Sequence, residues 1–116
     1  MTDAELQAAR DAAWRGLAKN PIRRAMLGRE RCDALVRVAA DQLAEVHGEY
    51  EASVRAAGLS GLAIPGSTLC KRVEDRVRQH YHERAGFAFM TLVIAWAISA
   101  IVQVLVQRWL DSRGQQ

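Results

Sequence analysis

An all-α fold is predicted by three features of this 116-residue chain. Good helix formers dominate, with only 2 prolines and 6% aromatics. Apolar residues recur at three- and four-residue steps. A C-terminal run, "FAFMTLVIAWAISAIVQVLVQRW" from Phe87 to Trp109, then reads as one long apolar helix. The expected architecture is a cytoplasmic helical hairpin or small bundle continuing into a single C-terminal transmembrane helix. Its segments are an N-terminal amphipathic helix over 1–20, a hairpin over 21–86, a transmembrane helix over 87–107 and a short tail over 108–116.

The first helix is set by "TDAEL", in which Thr2 and Glu5 make a capping box; Leu6, Ala9, Ala13 and Leu17 then share one face to about residue 18. Asn20 and Pro21 end that helix and start the next, asparagine as N-cap and proline at the first helical position. Gly28 weakens the following turns. From about 29 to 57, Leu35, Ala39, Leu43, Val46, Tyr50 and Val54 form an amphipathic stripe without a strict heptad. Gly58 suits a left-handed C-cap, 58–67 is a turn, and Ser67 is the expected cap of the next helix. Leu69, Val73, Val77 and Tyr81 step by four along that helix. Only Gly86 separates it from the apolar run, which predicts one helix from about 68 to 110, about 64 Å long. Antiparallel packing about the turn would bring Val54 near Cys70, Val46 near Arg78 and Leu43 near Tyr81.

Between Arg84 and Arg108 no residue carries a formal charge, and Phe87 to Val106 is apolar enough to cross about 30 Å of hydrocarbon. Alanine-rich partner stripes look too small to cover such a helix in water, which favours a span. Arg84, Arg108 and Trp109 are the expected interfacial anchors. Lys71, Arg72, Arg76, Arg78 and Arg84 precede the run, against Arg108 and Arg113 after it, so the N-terminus is expected in the cytoplasm of a tail-anchored, single-pass protein. "MTDAELQAAR" has two early acids and no apolar core, unlike a signal or transit peptide.

A net charge of +3 suits an anionic surface but not a dedicated nucleic-acid binder. In the hairpin geometry Lys19, Arg23, Arg24, Arg29 and Arg31 fall at headgroup level as a membrane-surface basic patch. Ile22, Met26 and Leu27 would dip inward, and anionic lipid of the cytoplasmic leaflet is the expected partner. Within the run Thr91, Ala95, Ser99 and Gln103 lie four apart and make a small, polar stripe expected to be a helix-to-helix interface, with Gln107 on the same line.

No catalytic, cofactor or metal site is expected. His80 and His82 are two apart on a helix and diverge, His47 has no nucleophile at a useful spacing, and Cys32 and Cys70 lack metal-ligand spacing. Both cysteines are expected as free thiols in a reducing compartment, Cys32 packed on the apolar face and Cys70 in a first helical turn able to lower its pKa. The row Asp33, Arg37, Asp41, Glu45 and Glu49 reads as a solvated acidic face or a dock for a basic partner.

The expected role is non-enzymatic: a structural or accessory subunit that self-associates or docks on a larger membrane complex through the transmembrane stripe. Alternatives are a holin-like permeabilising oligomer and a membrane-tethered regulator or adaptor.

Overall fold

The computed structural model describes residues 2–59, 61–82 and 88–112. Among these, every regular element is helical. They are α1 (Asp3–Gly16), a 3₁₀ turn (Leu17–Lys19), α2 (Pro21–Leu27), α3 (Arg29–Ala56), α4 (Gly66–His82) and α5 (Ala88–Ser112).

Local chemistry sets the boundaries. The Thr2 hydroxyl accepts from the Glu5 N–H at 3.1 Å and the Glu5 carboxylate accepts from the Thr2 N–H at 3.4 Å, completing the capping box. Asn20 Oδ1 accepts from the Arg23 N–H at 3.1 Å, and Pro21 opens α2. Gly28, at φ 82°, breaks the helix rather than merely weakening it, so α2 and α3 are separate. At the end of α3, Gly58 is left-handed, with Leu59 N–H bonded to Val54 O and Gly58 N–H to Arg55 O, a Schellman closure. Helix α4 starts one residue before the expected cap: Leu69 N–H donates to Pro65 O, and Ser67 lies inside the first turn.

Each predicted stripe faces inward. Leu6, Ala9, Ala13 and Leu17, then Leu35, Ala39, Leu43 and Val46, then Leu69, Val73 and Val77 are all buried. Helices α3 and α4 pack antiparallel, with Arg76 reaching Glu45 at 3.7 Å and ion-paired to Glu49. Two carboxylates of the acidic row are thereby engaged within the chain, and Asp33 pairs with Arg29 at 2.9 Å.

The C-terminal half differs from the expected single long helix. Helix α5 does not continue α4 outward; it lies against α1, α2, α3 and α4. A Cβ at Gly66, the first residue of α4, would lie 3.0 Å from Leu110 near the end of α5, so the two helices run antiparallel. The whole molecule measures 47 Å along its longest axis, shorter than the 64 Å expected of the one helix. Residues 83–87, which include Arg84 and Gly86, lie outside the described ones.

Small residues explain how alanine-rich stripes cover α5. A Cβ at Gly16 would sit 3.5 Å from Val104 Cγ2, so α1 and α5 are close there. Val93, Ala97, Ile98, Ile101, Val102, Leu105 and Val106 are buried among the surrounding helices, and no buried residue among those described is polar or charged. Alanine stripes that look too thin to cover a helix do so by coming near. Helix α5 remains the one described helix long and apolar enough to cross a membrane, over Leu92–Ser112, with 39% of its apolar 18-residue stretch buried.

If α5 holds the bundle together, Leu105→Ala should lower the stability of the whole molecule by about 2–5 kcal/mol. Chemical denaturation followed by far-UV circular dichroism measures this, and an unchanged midpoint would show that the other helices fold without α5.

Candidate membrane-contact and helix-docking surfaces

At one end of the bundle the 3₁₀ turn and α2 bring cations and apolar side chains together. Asn20 and Pro21 turn the chain so that Leu27 is buried while Ile22 and Met26, one turn apart, point outward. They are 73% and 41% exposed, and Leu92 near the start of α5 is 74% exposed. The Arg23 guanidinium lies over the Trp96 ring at 5.7 Å, fixing α2 beside the first turns of α5. Leu92 precedes Trp96 by one helical turn, so it shares that side of α5. Lys19 and Arg23 are exposed around these residues.

The expected basic patch divides in two. The Arg24 guanidinium covers the Trp14 ring at 4.7 Å and donates to the Trp14 carbonyl at 3.4 Å. Arg29 approaches the same ring at 5.8 Å and binds Asp11 at 2.5 Å and Asp33 at 2.9 Å. The Arg29 hydrogen bond holds the Asp11 carboxyl below its usual value, and Asp11 in turn raises Arg29. Arg29 is therefore a brace between α1 and α3, its charge balanced by two acids. Arg31 donates to the Leu27 carbonyl at 3.2 Å. Among the described residues Lys19, Arg23, Arg24 and Arg31 have no carboxylate partner. The Trp14 brace was invisible to sequence reasoning except as the Arg29/Asp33 spacing, because Asp11 and Trp14 reach Arg29 only across the fold.

The polar stripe of α5 lies toward the uncovered side of the helix. Ala95 and Ser99 are half-buried and Gln103 is exposed, while the Thr91 side chain lies outside the described ones. Gln107 is exposed and donates to Asp111 at 2.9 Å. Arg108 is exposed. Trp109 instead turns toward α3, its ring 4.6 Å from that of His47 in an edge-to-face contact.

At the opposite end a cavity of about 800 Å³ opens between α1, α3 and α5, its walls including Ala4, Ala8, Ala40, Ala44 and Leu105. Among the described residues no three His, Cys, Asp or Glu side chains converge as metal ligands. His80 packs edge-on against Tyr81 at 5.1 Å.

Cys32 is fully buried, and burial followed by the neighbouring Asp33 charge pushes its thiol up to about 11. Burial, with Glu74 adding to it, also raises Cys70, the opposite of the lowering that a first helical turn is able to give. Helix-terminal activation of Cys70 is outweighed here by desolvation.

These elements define an all-helical bundle organised on one apolar helix with a basic, apolar end. Comparison of the chain with protein-family models, with curated proteins and with solved structures finds no match.

Alkylation of the folded protein at pH 8 should modify Cys70 slowly and Cys32 only after unfolding, as peptide mass mapping would show. The stability that comes from keeping the Cys32 thiol neutral is fully present below its ordinary value of 9.0 and is lost as pH rises toward about 11. The denaturation midpoint should fall over that interval, and less steeply in Cys32→Ala.

Proposed function

We propose that this is a non-enzymatic, membrane-associated helical protein that serves as a structural or accessory subunit. Its α2 end rests on an anionic leaflet, and the Ala95, Ser99 and Gln103 side of α5 meets another helix, from a second copy or from a larger membrane complex. One observation carries the reading. Ile22, Met26 and Leu92, the large exposed apolar residues of α2 and α5, lie beside Lys19 and Arg23. Apolar side chains that enter the headgroup boundary, ringed by cations that meet anionic lipid, are what a surface-bound amphipathic helix presents.

Small residues on the α5 stripe allow close backbone approach, and Ser99 and Gln103 supply hydrogen-bonding groups for a partner. The excess of cations before α5 over those after it favours a cytoplasmic N-terminus.

Flotation with phosphatidylcholine vesicles containing or lacking phosphatidylserine tests the docking. Binding is expected only with the anionic lipid and to weaken with salt. Arg23→Gln should lower partitioning about five-fold, from about 1 kcal/mol per surface charge. Ile22→Ser should weaken it as well. Equal binding to neutral vesicles, or variants indistinguishable from the parent, would refute the reading. Separately, a cysteine at Gln103 should crosslink to a protein partner in membranes, in a background without Cys32 and Cys70; adducts with lipid probes alone would refute the docking stripe.

A further inference from the structure

We infer that α5 is a stowed membrane span: α1, α3 and α4 cover its aliphatic side in water, and it passes into the hydrocarbon core once the α2 end has docked. The inference rests on the docking reading above and adds a second, structural step to it.

Four observations point this way. The Leu92–Ser112 stretch has the length and apolarity of a span, yet it lies within the bundle. The buried side chains of α5 are all aliphatic: Val93, Ala97, Ile98, Ile101, Val102, Leu105 and Val106. Hydrocarbon is as apolar as the leucines and alanines around them, so lipid replaces those contacts without stranding a polar group. The sheath also keeps contacts of its own, since α3 packs on both α1 and α4 independently of α5. Finally, the start of α5 lies at the docking end, where Leu92 is already 74% exposed and Trp96 is held by Arg23 of α2.

The two states present different surfaces. In the bundle Gln103 faces water, which satisfies its amide, and Gln107, exposed as well, donates to Asp111. In a bilayer Gln103 lies at hydrocarbon depth and requires a hydrogen-bonding partner, so insertion creates the demand for a second helix along Ala95, Ser99 and Gln103. The bundled form therefore leaves the docking stripe hydrated in solution, where water competes with a partner for it, and insertion removes that water.

A reversible lock provides the test. In a full-length Cys32→Ala/Cys70→Ala background, Gly16→Cys with Val104→Cys ties α1 to α5, where the Cβ of residue 16 would lie 3.5 Å from Val104 Cγ2. Gly66→Cys with Leu110→Cys ties α4 to α5 as an independent second lock. Each protein is mixed, oxidised or reduced, with phosphatidylserine-containing vesicles, floated, and then extracted with alkaline carbonate.

The reduced proteins and the background are expected to float and to resist carbonate. A C-terminal epitope should become protected from external protease. The oxidised proteins should float equally but be stripped by carbonate, and reduction on the vesicle should restore resistance. Equal carbonate resistance in oxidised and reduced forms, or stripping of the unlocked protein after normal flotation, overturns the stowed span while leaving docking intact. Failure of every form to float overturns the docking reading and the inference together. Circular dichroism of both redox forms confirms that each lock leaves the bundle folded.

Discussion

The aliphatic surface of α5 is the constraint on which the other elements depend. Val93, Ala97, Ile98, Ile101, Val102, Leu105 and Val106 spread around more than one side of that helix, so no single partner covers them. Three amphipathic helices do so together, each with a narrow stripe. The stripe of α1 is half alanine and α3 adds Ala39, so small side chains make up part of the interior. Gly16 lies where α1 passes Val104, and Gly66 where α4 passes Leu110. A Cβ at Gly66 would be tighter against its neighbour than ordinary packing, which ties the start of α4 to the end of α5.

With the interior wholly apolar among the described residues, the charges are placed on the outside and serve to fix the helices relative to one another. Arg29 links Asp11 on α1 to Asp33 on its own helix, and Arg24 lays its guanidinium on Trp14. Arg76 spans Glu45 and Glu49 across the α3–α4 pair. Such exposed pairs contribute little stability individually. Their value is registry: they hold α2 and the start of α5 at one end, where Arg23 meets Trp96. The basic end is therefore a consequence of the packing of α1, α3 and α5 rather than of α2 alone.

The docking and stowing proposed for this protein share one physical basis. An aliphatic helix side chain has no preference between a packed leucine and a lipid tail, whereas a glutamine amide does. The bundle gives the aliphatic residues a dry environment and leaves Gln103 and Gln107 wet. A bilayer would keep the first condition and reverse the second, which makes the polar stripe the discriminating surface between a free bundle and one engaged with a partner helix.

Much of the architecture was legible in the residues alone. The capping box at Thr2 and Glu5, the Asn20–Pro21 junction, the left-handed Gly58 and the inward stripes of α1, α3 and α4 are local or periodic signals, and short-range hydrogen bonding and helical geometry are enough to set them. The antiparallel pairing of α3 with α4 followed from the turn between them. Sequence also determined that the C-terminal run is helical, apolar and carries a polar stripe. What it did not determine was the environment of that run. Periodicity tells which side of a helix is apolar but not what meets it, and packed alanine helices and lipid satisfy the same side chains. Only the tertiary structure laid α5 back beside α4, committed Arg29 to Asp11 and Asp33, turned Trp109 toward His47 and raised the Cys70 thiol. Each of those outcomes depends on a neighbour distant in the chain, and proximity across the fold is a property that spacing along one helix does not encode.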